Sequence, residues 1–325
     1  MRANRSRTIT IATLLLLLTT LAGLGTVVVR GSHDKGKSPS VDENGDGLPS
    51  VDLARSVGAY TDRFAPDGAF QPPSRTERET IAEGVGLLLE GRREQAEQRL
   101  AEVDFALRTV VDGSTGRRFA EVYDRVDQGP SPRGWGRVFV DLEHPVRWSV
   151  QVPHPVADQD TELLGIRVLR GAPGGLLVIA GAHRKSGEGN AADVAHRRDT
   201  VFHTICAELV RRAVPGIQLH GFAEKSAPHY DVIASTGAGE DGLTDGRRLA
   251  DALGDRDFAV CRAWARSCPL AGRDNVQGRT AADARVPFLH VEFAPGPRRN
   301  SRQAARAAEA LAVVTRGWAG SALAG

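Results

Sequence analysis

Four polar residues stand where apolar runs of this chain end, and their types are those that bind metals and move protons. His154 closes SVQVPH, His183 closes LLVIAGAH, His220 closes IQLH and Glu292 closes FLHVE. If each run is a strand of an open α/β sheet, its carboxyl end faces the crevice where ligands bind. Neutral imidazole and carboxylate suit zinc, and three such ligands leave a position open for water. One histidine at a strand end is ordinarily structural. Four such ends in a chain with nine histidines single this set out.

Other clusters could join them. In HPVADQDTE, residues 154–162, His154, Asp158 and Glu162 are spaced by four. On a helical turn they line one side; in a loop they can converge on a cation; the alternative is a cap followed by solvated acids. His154 then either ligates or positions substrate, since a ligating imidazole needs a partner for its second nitrogen. In ADVAHRRD, Asp193, His196 and Asp199 follow an i, i+3, i+6 spacing. Neighbouring turns of a helix aim them at the site, or they form a charged outer face beside the stripe Val194, Val201, Ile205 and Leu209. A substrate carboxylate would need a cation, and Arg279, in the polar stretch Asn275 to Arg279, is expected to clamp it with Asn275 as a second contact. Ser186 and Ser235 lack a Gly-x-Ser-x-Gly elbow, which gives serine catalysis no support.

An apolar strand ending in Gly-x-His, a later strand ending in Leu-His and a late strand bearing Glu resemble the site of the zinc carboxypeptidase-like hydrolases, a fold shared with N-formylglutamate amidohydrolases and poly-γ-glutamate hydrolases. The resemblance spans roughly residues 150–300. It implies zinc held by His183, His220 and a carboxylate, with Glu292 as general base; His154, from its own cluster, is expected close to the chemistry. The carboxypeptidase pattern has Glu three residues after the first His, where this chain has Ser186; Glu188, five residues on, is nearer the poly-γ-glutamate hydrolase spacing and becomes the third ligand. The implied activity is hydrolysis of a peptide or γ-glutamyl amide. Two rivals stay open: a non-catalytic exported binding module with structural histidines, and a phosphoesterase using His154, Asp158 and two metals.

These groups need a scaffold whose strands end on one edge. Residues 137–143, 147–152 and 163–169 read as strands, and residues 175–182 form the continuous apolar run of a strand buried on both faces. A helix over 192–214 follows, then strands over 216–219 and 230–235, a helix over 246–253, strands over 258–261 and 286–293, and a helix over 301–318. That alternation predicts an α/β domain, residues 131–325, with a mostly parallel sheet flanked by helices. Residues 51–130 read as a small α+β lead-in module: a helix opened by the capping box Ser74 to Glu77, a second helical stretch, and a hairpin about residues 112–116.

Residues 1–30 settle where the body is expected to work. Arg2, Arg5 and Arg7 precede residues 8–29, which carry no charge and are long enough to cross a lipid bilayer. An uncleaved single-pass anchor at the cell membrane is expected, with secretion after cleavage as the alternative. Residues 31–50 read as a polar tether; Asp42, Asn44 and Asp46 open a calcium-loop pattern that Leu53 fails to close. The net charge of +2, without a basic block, excludes nucleic acid as a partner. Of the three cysteines, Cys261 and Cys268 are the expected disulfide, provided that the chain between them turns, and Cys206 is a buried thiol.

Overall fold

The computed structural model describes residues 42–43, 48–129 and 131–320. In chain order the elements are β1 (Asp42–Glu43), β2 (Pro49–Val51), α1 (Leu53–Thr61), α2 (Arg75–Leu89), α3 (Arg93–Ala101), β3 (Phe105–Asp112), β4 (Arg118–Asp124), β5 (Arg137–Asp141), β6 (Trp148–Val152), α4 (Thr161–Gly171), β7 (Gly175–Ile179), α5 (Val201–Arg211), β8 (Gly216–Gly221), β9 (Val232–Ser235), α6 (Leu243–Gly254), β10 (Val260–Arg262), α7 (Val276–Asp283), β11 (Phe288–Phe293), α8 (Pro295–Arg299) and α9 (Ser301–Gly320). The anchor segment of residues 8–29 lies outside the described residues. Among the described helices, none is long and apolar enough to cross a membrane.

The strands form one mixed sheet in the order β1-β2-β3-β4-β5-β7-β6-β8-β11-β9-β10. At its centre β7, β6, β8 and β11 are parallel, so their carboxyl ends share one edge. Alternation along these buried strands sorts side chains between two apolar layers. Leu177 and Ile179 of β7 face the layer of α1, α4, α6 and α9, while Leu176 and Val178 face that of α2, α3 and α5. On β6, β8 and β11 the first layer takes Val150, Val152, Ile217, Leu219, Val291 and Phe293. The alternate positions, Ser149, Gln151, Gln218, His220, His290 and Glu292, are polar and buried, and they make a polar row across three neighbouring strands.

Several elements differ from expectation. Residues 163–169 are helical in α4, not a strand: Leu163, Arg167 and Arg170 are its less buried positions, a helical spacing that so short an apolar run conceals. The helix expected over 192–214 is confined to Val201–Arg211, with Thr200 as its cap. Its expected first turns are irregular, the carbonyls of Val194 and Ala195 accepting from Gln277 and Val276 of α7 instead of from N–H groups one turn on. Residues 275–279, the polar stretch of the sequence, are the cap and first turn of α7, Asn275 Oδ1 accepting from the Gly278 N–H. In the lead-in region the Ser74–Glu77 capping box and the hairpin both form. The hairpin continues the body's own sheet through the β4–β5 ladder, and residues 41–325 make one compact unit.

Candidate metal centre

His154 and Asp158 sit on the turn that follows β6, and His220 is inside β8, the strand beside it. Asp158 Oδ2 lies 3.3 Å from both His154 Nδ1 and His220 Nδ1. The three ligand atoms fall within 4.8 Å of one another, all on buried residues. A tetrahedral shell with bonds of roughly 2.0 to 2.1 Å has edges of roughly 3.3 Å, which the two measured separations match. The outer nitrogens are held from behind: His154 Nε2 by Asp193 Oδ1 at 2.8 Å and His220 Nε2 by Gln218 Oε1 at 2.8 Å. That leaves each imidazole aimed inward through Nδ1.

On the far side of His220 stands His290, ring centroids 4.4 Å apart. Both nitrogens of His290 are buried without a hydrogen bond, although Nε2 comes within 3.4 Å of Glu292 Oε1. Two buried nitrogens without a protein partner fit a place beside a ligand or a metal. Glu292 pairs in register with His220 on the neighbouring strand. Gly272, at φ +63°, closes over this corner; a Cβ there would meet the His290 ring at 2.4 Å.

The electrostatics follow from these contacts. Burial opposes ionisation of Asp158, but His154 and His220 hold its carboxyl far below the usual carboxylate range. Asp193 is likewise held low, against burial, by His154 and Arg184. Burial disfavours protonation of His154, yet Asp158 and Asp193 raise it above its ordinary value. Burial, aided by the neighbouring His290, pulls His220 down to about 4. Arg184 bonds Asp193 Oδ2 at 2.7 Å and lies 3.4 Å from His154 Nδ1, which puts a half-buried cation at the mouth of the cluster.

The turn carrying Asp158 is coiled tightly, with Val156, Gln159 and Asp160 all at positive φ. Arg298 pins it: its buried guanidinium donates to the carbonyls of Asp158, Gln159, Phe222, Phe293 and Ala294. Gly221 makes room, since a Cβ there would lie 2.5 Å from the Asp158 carbonyl.

The expected ligand set changes accordingly. His183 stands outside the group: its Nδ1 accepts from the Lys185 N–H, and it lines a cavity of about 210 Å³ with Arg63, Phe64, Gly134 and Ser186. Burial lowers its pKa, and its field reaches His154 and Asp158. Glu188 is exposed in a short 3-10 turn. Glu162 is buried in the first turn of α4, its carboxylate 3.4 Å from the Val156 N–H. His196 leans on Asp193 at 3.2 Å and Asp199 pairs with Arg197, both at the surface. Arg279 is an exposed partner of Asp274, and Asn275 is buried against Gln218. Cys261 and Cys268 are joined as a disulfide, and burial pushes the Cys206 thiol well up. A second group, Asp141, Glu143 and His144, also has ligand spacing. Asp141 is already engaged there by Arg117 and the N–H groups of Gly174 and Glu143, which makes it a brace.

No protein-family model and no curated protein matches the chain. It is similar to the solved structure of a bacteriophage poly-γ-glutamate hydrolase, with 13% identity over 53% of this chain and 84% of the other, at a TM-score of 0.41. The N-formylglutamate amidohydrolase from Ralstonia eutropha JMP134 gives 14% identity, 57% and 97% coverage and a TM-score of 0.40. The LapA aminopeptidase of Legionella pneumophila gives 11%, 84% and 71%, and 0.37. At that level of similarity no residue role passes from them to this chain.

Proposed function

We propose that this protein is a metal-dependent hydrolase of amide bonds, of the peptide or γ-glutamyl type that the sequence resemblance implies. The observation that carries it is the triangle of His154, Asp158 and His220, with a further carboxylate, Glu292, on the adjoining strand. Two imidazole nitrogens and one carboxylate oxygen are the donor set of a catalytic zinc. A cation held there, when bound, supplies a Lewis acid that polarises a carbonyl and makes a water more acidic.

The protein's own groups do the rest. Glu292, in register beside His220, takes the proton of the attacking water and returns it to the departing amine. Asp193 holds His154 in place through Nε2, and Arg298 holds the turn that presents Asp158. Arg184, beside His154, offers a cation for a carboxylate of the substrate. The body is further proposed to work outside the cytoplasm, tethered through residues 8–29; the Cys261–Cys268 disulfide supports an oxidising surrounding.

The test is metal content and turnover of the purified full chain. Wild type is expected to retain a divalent cation and to cleave γ-glutamyl or peptide amides. His220→Ala should lose the cation. Glu292→Gln should keep it while turnover falls by roughly 10²- to 10⁴-fold, the usual worth of a general base. A wild-type protein that binds no divalent cation ends the proposal.

A further inference from the structure

Behind His220 lies a cluster of buried amides whose polarity can be read from its ends. Asn275 Oδ1 accepts the backbone N–H of Gly278 at 2.8 Å, so its Nδ2 is the end turned to Gln218 Oε1, at 2.5 Å. Gln277 Nε2 donates to the backbone carbonyl of Val194 at 2.8 Å, which leaves Gln277 Oε1 facing Gln218 Nε2 at 3.3 Å. A third path starts at the Pro215 carbonyl, which accepts from Ser149 Oγ at 3.3 Å. Ser149 Oγ in turn accepts from Gln151 Nε2 at 3.3 Å, so Gln151 Oε1 meets Gln218 Nε2 at 3.1 Å. Backbone N–H groups only donate and carbonyls only accept. Three independent anchors therefore agree on one orientation of Gln218: nitrogen toward Gln151 and Gln277, oxygen toward Asn275 and His220.

A carbonyl oxygen cannot donate, so the imidazole nitrogen 2.8 Å from Gln218 Oε1 must carry the hydrogen. We infer that Gln218, clamped by Asn275, Gln277 and Gln151, is a positioning residue that holds His220 as its Nε2–H tautomer and thereby presents the Nδ1 lone pair as the metal ligand. The opposite tautomer would point a hydrogen into the cation site and set two oxygen and nitrogen lone pairs against each other behind it. Asp158 Oδ2, 3.3 Å from His220 Nδ1, is the more distant competitor for that hydrogen, Gln218 Oε1 lying at 2.8 Å from Nε2. The role rests on the metal site proposed above, but the tautomer itself does not depend on turnover.

Two-bond proton–nitrogen correlation spectra of the metal-free full chain, labelled with ¹⁵N-histidine, read the tautomer directly. His220 is expected in the Nε2–H pattern; an Nδ1–H pattern overturns the inference. In Gln218→Met the Nδ1–H form should become populated and the affinity for Zn²⁺ alone should fall by roughly 10- to 100-fold, as for other partners behind a ligand. An unchanged tautomer in that variant also overturns it. Should Gln218→Met fail to fold, Gln277→Met removes one anchor only, and a partial shift of the same resonance is expected, with no shift counting against the role. The expected tautomer without amide turnover sinks the hydrolase and leaves this role standing; turnover with an Nδ1–H His220 does the reverse.

Discussion

His203 and His220 are buried imidazoles whose folded-state values lie near 4, burial being the first cause in both. In the unfolded chain each titrates near 6.5, so below that pH the unfolded state takes up protons that the folded state refuses. Stability of the metal-free protein should therefore fall as pH drops from about 6.5 toward 4, by up to about 1.4 kcal/mol per pH unit for each group. His154 has the opposite sign: its raised value contributes stability that is complete below about 6.5 and is lost as pH climbs through the folded-state value. Urea unfolding at pH 7 and pH 5 checks this, with a midpoint that does not fall at pH 5 refuting it. At this scale much of the candidate site was legible. His154, His220 and Glu292 stood out because charge or imidazole at the end of an apolar run is costly unless used, whereas Asp158 was offered only by its spacing of four from His154, and His183, which closes a fourth run, is not in the triangle. Glu188 was chosen by spacing alone, and spacing along a loop says nothing about direction. Gln151 and Gln218 were missed, although the signal was present: a glutamine at an alternate position of S-V-Q-V and of I-Q-L-H faces one side of an otherwise apolar strand; Gln277, on α7, carried no such signal.

The turn from β6 to α4 carries most of the remaining story. Val156 sits at φ +66°, a region that costs a β-branched residue about 1 to 2 kcal/mol. The turn is kept there by Arg298, whose guanidinium bonds join it to the ends of β8 and β11. Arg298→Met should leave several buried carbonyls unsatisfied and lower stability by about 3 kcal/mol in urea unfolding. Val156→Gly relieves the backbone and should cost nothing or add stability; a loss above about 1 kcal/mol would refute the strain reading. Elements were legible where period and length agreed, as for β7, β8, β11 and α9. They were not where tertiary bonds decided. Nothing in residues 192–200 announces that two of their carbonyls belong to α7, and the seven residues 163–169 are too few to tell a helix from a strand by apolarity alone.

For the whole molecule, the proposed ligands come from the turn after β6 and from β8, strands that meet only when the sheet has formed. The unfolded chain holds no such site, so a bound cation stabilises the native state alone, by about 2.7 kcal/mol at a hundredfold excess over its dissociation constant. Thermal midpoints should rise with Zn²⁺ for wild type and stay constant for His220→Ala; a parallel rise in both would point to binding elsewhere. The polar row across β6, β8 and β11 has a second effect, on assembly. Sliding β8 by a single residue would turn Gln218 and His220 into the hydrocarbon of the α4 and α9 layer and put Ile217 and Leu219 among the amides. Mispaired strands are thus penalised by the same side chains that would serve a reaction, and pruning those groups to apolar ones should yield a protein that aligns its central strands less faithfully.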